Sequence, residues 1–156
     1  LPNQRTWDFE LERVATATQQ QGMPLTVAML DLDRFKDYND RYGHPAGDDL
    51  LVDCARAWHA ELAPPALLAR YGGEEFAVLL PGVSLAQSRP VLEQLRRATP
   101  GEQTVSIGFA ERTPGEHIED TLQRADRALY DAKAGGRDRV VAHGTATSRA
   151  PSEYPG

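Results

Sequence analysis

Apolar positions in this chain alternate between helical and extended spacing. After Asn3, a residue type that caps helices, Trp7, Leu11 and Val14 recur every three or four positions, which predicts a helix up to the break at Gln21-Gly22-Met23-Pro24. Leu25 to Leu32, LTVAMLDL, is almost continuously apolar and predicts a strand buried on both faces, closed by the acids Asp31 and Asp33. A short helical turn is predicted from Arg34 to Tyr42, then a break over Gly43 to Gly47. A helix from Asp48 to near Leu62 follows, with Leu51, Cys54, Ala55, Trp58 and Leu62 on one face, stopped by Pro64-Pro65.

Ala66 to Tyr71 and Glu75 to Leu80 read as two strands joined through Gly72-Gly73, a pair suited to a tight turn with positive φ at both central residues. Ser84 to Ala98 reads as a helix that either kinks at Pro90 or begins near Ser88. Thr104 to Ala110 alternates as a strand, with Val105, Ile107 and Phe109 on one side. Ile118, Leu122, Ala125, Leu129 and Ala132 repeat at helical spacing up to Gly135-Gly136, and Arg139 to Ala142 suits a last short strand. The order helix, strand, two helices, hairpin, helix, strand, helix, strand predicts an α+β fold, a mixed sheet covered by helices. The domain is expected over residues 1–142, with a disordered Ser/Thr/Ala/Pro-rich tail over 143–156.

Composition narrows the possible functions. The 156 residues are 40% apolar, enough for one domain with a core. Seventeen basic against 23 acidic residues give a net charge of −6, which argues against a broad grip on nucleic acid, so any polyanion must be held locally. The single Cys54 cannot form an internal disulfide, which fits a reducing compartment, and no apolar run is long enough to span a membrane. Opening at Leu1-Pro2 without Met, the chain reads as a piece of something longer.

Two stretches carry candidate chemistry. In Arg70-Tyr71-Gly72-Gly73-Glu74-Glu75-Phe76, two acids follow a glycine turn. Neighbouring side chains on a strand point to opposite faces, so Glu74 at the turn and Asp31 at a strand end are candidates to converge on one hard cation. In Asp31-Leu32-Asp33-Arg34-Phe35-Lys36 an acidic strand end runs into a helix start, where free N–H groups favour phosphate. Asp33 by itself reads as an N-cap. Asp31, closing so apolar a run, needs water or a cation. Asn39 and Asp48, either side of the glycine-rich break, suit the hydrogen-bonding edge of guanine, although Asp48 also suits a helix cap. Lys133 and Arg137, near the end of the last helix, read singly as partners for its terminal carbonyls. His44 reads as structural, and no serine-hydrolase or P-loop motif is present.

Taken together, the chain resembles the GGDEF domain of diguanylate cyclases. RYGGEEF at 70–76 resembles the signature hairpin in its Glu-for-Asp form. DLDRFKDYNDRYGHPAGDDLL at 31–51 is similar to the nucleotide segment, ADRALYDAKAGGRDRVV at 125–141 to the carboxy-terminal motif, and LPNQR to the end of the amino-terminal one. The resemblance implies a fold like the palm of nucleotidyl cyclases and polymerases, with about five strands. It implies that two GTP molecules, one on each of two facing protomers, are joined into cyclic di-GMP with release of pyrophosphate, dependent on Mg²⁺ or Mn²⁺.

Carried over by residue, Asp31, Glu74 and the Leu32 carbonyl would bind metal. Glu75 would bind a second metal or help deprotonate the attacking 3′-hydroxyl. Asn39 and Asp48 would recognise guanine, Arg34, Phe35 and Lys36 would hold the triphosphate, and Lys133 and Arg137 would neutralise its outer phosphates. Gly72 and Gly73 would let backbone approach the nucleotide. One departure stands out: where many family members carry an Arg-x-x-Asp product site, this chain reads Ala63-Pro64-Pro65-Ala66, so inhibition through that site is expected to be absent. The resemblance also implies a homodimer. The segment itself is expected on the cytoplasmic side, where GTP and reduced thiols are found, with no nucleic-acid partner and no direct membrane contact, while attachment of the parent protein to a membrane through a missing N-terminal region stays open. The alternative is a non-catalytic module that binds GTP or cyclic di-GMP and regulates another protein.

Overall fold

The computed structural model describes residues 3–144. Helix α1 (Gln4–Gln20) leads into β1 (Leu25–Leu32), then α2 (Phe35–Tyr42) and α3 (His44–Ala60). The hairpin β2 (Leu67–Arg70) and β3 (Glu75–Pro81) follows, then α4 (Leu85–Ala98), β4 (Val105–Glu111), α5 (Ile118–Ala134) and β5 (Val140–Ala142). The five strands form one mixed sheet in the order β2-β3-β1-β4-β5, antiparallel except for the β4–β5 pair. The architecture is the predicted α+β fold.

The near-continuous apolar run of β1 arises because the strand is central and covered on both sides. Ala28, Leu30 and Leu32 face one core with α3 and α4, built around Trp58, Phe76, Leu92 and Leu95. Leu25, Val27 and Met29 face the other with α1 and α5, built around Trp7, Leu11 and Leu129. Trp58 packs edge-on against Phe76 and donates its indole N–H to the Thr99 hydroxyl at 3.1 Å, so truncating it would cost about 3–5 kcal/mol. Cys54 lies within the same core, and burial pushes its thiol up to about 12. Gly108 on β4 sets the distance between sheet and α5: a Cβ there would sit 2.0 Å from the Leu129 nitrogen. The helix is therefore seated directly on the strand.

Several boundaries differ from the sequence expectation. Helix α3 begins at His44, immediately after Gly43, whose φ of 92° turns the chain, so His44 opens a helix and Asp48 lies in the second turn and caps nothing. Helix α4 begins at Leu85 with Pro90 inside it, because Ser84 and Gln87 form a reciprocal capping box that secures its start. The hairpin is not a two-residue turn. Tyr71 to Glu74 connect the strands, neither Gly72 nor Gly73 is left-handed, and the loop is instead clasped by Arg70, whose guanidinium donates to the Gly73 carbonyl at 2.8 and 3.0 Å. At the C-terminal end, His143 still donates its N–H to the Phe109 carbonyl, while residues 145–156, most of the expected tail, lie outside the described residues.

Candidate active site

The site is assembled where the C-terminal end of β1 meets the start of β3. Register places Asp31 directly opposite Glu75 on one side and Ser106 on the other. With side chains alternating along each strand, Asp31 and Glu75 share the face covered by α5, whereas Glu74 belongs to the turn and its carbonyl accepts the Leu32 N–H at 3.3 Å. Like charges in direct register repel, so this pairing weakens the sheet unless a cation intervenes.

The seating of α5 on Gly108 brings Lys133 to this end of the sheet, where its ammonium lies 2.8 Å from Asp31 Oδ2. The other carboxylate oxygen, Oδ1, is buried without a partner. Burial raises the Asp31 carboxyl above its ordinary range; Lys133 opposes the shift, while Glu74 and Asp33 add to it. Burial also raises Glu75, reinforced by the charges of Asp31, Asp126 and Glu74. Asp126 on α5 is itself raised by burial, and nothing in the sequence marked it as part of this acidic group. A site that drives carboxylates toward neutrality disfavours bare charge and favours a cation.

The donors fit a divalent metal of the hard class. All are oxygens, one is an orphaned buried carboxylate oxygen, and Mg²⁺ is commonly held by only one or two carboxylates, keeping several waters. Among the described residues, no three acids, histidines or cysteines are grouped closely enough to hold a metal, so Asp31, Glu74 and Glu75 do not stand as a ready-made cage.

A cleft of about 640 Å³ opens between the hairpin and α3, and none of the acids Asp31, Glu74 and Glu75 lines it. Its lining combines Leu51, Val52, Ala55 and Phe76 with Arg70, Tyr71, Gly72 and Gly73. Asp48 falls on the same helical face as Leu51, Val52 and Ala55, at spacings of three, four and seven, and is exposed. Asn39 lies at the α2–α3 corner, its amide oxygen buried without a partner and pressed so close to Gly47 that a Cβ there would fall 1.7 Å from it. Helix α2 starts from Arg34 in the left-handed region (φ 57°) with no capping side chain, so the N–H groups of its first turn, at Phe35 and Lys36, are left for an anion. Arg34 and Lys36 are exposed beside them. Arg137 follows α5 in a left-handed conformation of its own (φ 65°), its N–H anchored on the Ala132 carbonyl.

Asp33 is not the N-cap the sequence suggested. Only 2% exposed, it accepts from the Thr104 hydroxyl at 2.6 Å, the Ser106 hydroxyl at 2.7 Å and the Asp138 N–H at 3.0 Å. Its backbone pairs with Thr104, which carries it toward β4 and away from the start of α2. The signal available was the pair Thr104 and Ser106, two hydroxyls at alternate positions of a strand whose other face is apolar.

Comparison with known proteins agrees with this geometry. Residues 1–139 match the family described as diguanylate cyclase, GGDEF domain. The chain is 40% identical over 150 residues to the diguanylate cyclase DgcP of Pseudomonas aeruginosa, a match covering 90% of this chain and 22% of that protein. The chain thus spans less than half of the curated relatives it matches first. Among solved structures, the GGDEF domain of DgcB from Caulobacter crescentus, determined in complex with c-di-GMP, superposes with a TM-score of 0.87 at 39% identity, covering 93% of this chain and 92% of that one. The active GGEEF domain of a diguanylate cyclase from Vibrio cholerae superposes with a TM-score of 0.87 at 27% identity, over 94% and 99% of the two chains. With sheet order, signature hairpin and the match over residues 1–139 in agreement, the chain belongs to the GGDEF domain family of diguanylate cyclases.

Proposed function

We propose that this domain is a diguanylate cyclase that condenses two GTP into cyclic di-GMP and two pyrophosphates. The observation that carries the reading is the Asp31–Glu75 register pair, one oxygen of it buried and unpaired, at a strand end that runs into an uncapped helix start. In each half-reaction the 3′-oxygen of one GTP attacks the α-phosphorus of the other. The bond to pyrophosphate breaks, and the hydroxyl proton leaves. Because each nucleotide is both attacker and target, two protomers facing each other satisfy the geometry, and a homodimer is the working form.

Asn39 and Asp48 recognise guanine, the acid accepting from the base's N–H and amino groups. Leu51, Val52 and Ala55 provide the apolar wall against which the ring lies. The N–H groups of Phe35 and Lys36 and the charges of Arg34 and Lys36 hold the triphosphate, and Lys133 and Arg137 neutralise its outer phosphates. Gly72 and Gly73 leave the cleft open beside the hairpin, since a Cβ at Gly73 would meet nothing within 4 Å and one at Gly72 only Glu75. Glu75, its carboxyl raised by burial and by Asp31, is poised to take up the 3′-hydroxyl proton. Asp31, Glu74 and the Leu32 carbonyl would hold Mg²⁺ or Mn²⁺, which would supply charge stabilisation for the phosphoryl transfer, with Glu75 ligating a second ion where it does not serve as the base.

The segment that would carry the Arg-x-x-Asp product site, Ala63 to Ala66, holds no charged side chain, so any inhibition by product would have to act at the active site. Any inhibition by cyclic di-GMP would then be competitive with GTP, and a non-competitive pattern in a titration against GTP would sink this part of the reading. None of the described helices is long and apolar enough to cross a membrane, and the need for GTP points to the cytoplasmic compartment. The primary test incubates the domain at high concentration with GTP and Mg²⁺ and identifies the product by mass spectrometry. Cyclic di-GMP from the wild type and none from Glu75→Gln supports the cyclase. Absence of product with a GTP-induced rise in melting temperature would instead favour a nucleotide-binding module.

A further inference from the structure

Asp33 lies two residues from the proposed metal ligand Asp31 but has no free oxygen to offer. Oδ2 accepts both the Thr104 hydroxyl and the Asp138 N–H, and Oδ1 accepts the Ser106 hydroxyl. The Gln103 amide adds a contact to its carbonyl at 3.3 Å. Among the described residues three non-glycine positions have positive φ, and all belong to the two segments this carboxylate joins: Arg34 on one side, Arg137 and Asp138 on the other. Such backbone persists only where surrounding bonds over-determine it. Asp138 is gripped twice, by Asp33 through its N–H and by Arg96 of α4 at 3.0 Å through its carboxylate, while Arg137 is tied by its own N–H to the end of α5.

We infer that Asp33 is a positioning residue for triphosphate binding: its carboxylate holds the Arg137-Asp138 segment in its left-handed conformation and so fixes where the Arg137 guanidinium meets the outer phosphates. The inference rests on the proposed phosphate role of Arg137 and adds a residue that acts on phosphate without touching it. It separates two acids two positions apart in one strand end. Asp31 is incompletely paired and open to a cation, whereas both carboxylate oxygens of Asp33 are engaged by neutral donors and serve as acceptors.

Acceptor chemistry, unlike charge, survives in Asp33→Asn. The amide oxygen of that variant can keep the Thr104 and Asp138 bonds, and the Ser106 hydroxyl can rotate to accept from the amide nitrogen. The test measures binding of two probes to the whole domain by calorimetry or NMR: guanosine, which reports the base site, and the α,β-methylene analogue of GTP, which cannot release pyrophosphate. Asp33→Ala is expected to weaken the analogue about tenfold, as for loss of one charge-assisted hydrogen bond, and to leave guanosine within about twofold. Asp33→Asn is expected to retain most of the wild-type affinity. Arg137→Ala is expected to weaken the analogue in the wild-type background and to add little in the Asp33→Ala background.

Equal losses for both probes, Asp33→Asn as damaging as Asp33→Ala, or fully additive effects of Asp33→Ala and Arg137→Ala would each overturn the inference. If Arg137→Ala weakens the analogue and Asp33→Ala does not, the inference falls alone. If Arg137→Ala has no effect, the phosphate role of Arg137 falls and takes the inference with it. Should Asp33→Ala not fold, Asp33→Ser, whose hydroxyl is one bond shorter, is read the same way.

Discussion

Two carboxylate sites on α5 and its neighbours differ in how completely they are paired. At the start of α5, Glu116 accepts from the Thr113 N–H, the Thr121 hydroxyl and two nitrogens of Arg124, at 2.6 to 3.0 Å. Burial opposes its charge, but these donors outweigh burial and hold the carboxyl down to about 2. At the other end of the helix, Asp31 has one partner, Lys133, and an orphaned oxygen, and both Asp31 and Glu75 are pushed upward. The first arrangement is closed and can only hold β4 to α5. The second costs stability as it stands, which is the mark of a site shaped for something that arrives from outside.

The largest effect that sharpens this contrast is on chemistry. Glu75→Gln should lower cyclic di-GMP formation by at least about 100-fold while the domain stays folded, measured by product chromatography alongside circular dichroism. A variant that remains active would show that the open site is not the reacting one. Next in size, Glu116→Ala should destabilise the domain by about 3 kcal/mol, because Arg124 is left buried without its partner, and leave turnover per folded molecule within about twofold. The sign with pH is fixed by the lowered carboxyl. Its stabilisation is present above the ordinary value of 4.5 and is lost as pH falls toward about 2, so wild type and variant should converge in acid denaturation.

A smaller effect is expected at the ion pair. Lys133→Met removes the ammonium that competes for Asp31 and should tighten Mn²⁺ binding in the absence of nucleotide by several-fold, while GTP turnover falls; paramagnetic relaxation reads the first directly. Weaker Mn²⁺ binding would mean that Lys133 orients Asp31 and does not compete for it. Smallest is the stability of Glu75→Gln itself. Because the Glu75 carboxyl is raised, its contribution is present below the ordinary 4.5 and lost as pH rises through the folded value. The variant should therefore be more stable than wild type at neutral pH, by no more than about 1 kcal/mol after solvent screening, and the gain should vanish in acid. Thermal melts across pH test it, and a gain that persists in acid would mean that the charge of Glu75 is not its cause.

Much of this was legible in the chain. The run Leu25–Leu32 was bounded correctly because a strand covered on both faces needs apolar residues at every position. The 3.6-residue spacing of Trp7, Leu11 and Val14 gave α1, and that of Ile118, Ala125, Leu129 and Ala132 gave α5. The turn at Gly72-Gly73 was located but its type was not, since Arg70 supplies the clasp that a pair of left-handed glycines would otherwise replace. The role of Asp33 is not legible in the chain, because Asp before a helix is ordinarily a cap and only the arrival of β4 and of the loop after α5 brings up three competing donors.

Local sequence determined what local physics controls: which segments are helix or strand, where glycine and proline interrupt them, and which motifs carry acids and bases. Tertiary structure decided which of those groups meet. Asp31 faces Glu75 by strand register, and Lys133 reaches Asp31 by the close seating of α5 on Gly108. The burial that raises two of these carboxyls comes from the same packing. Register, helix seating and burial are set by contacts between residues tens of positions apart, and no periodicity along the chain encodes them.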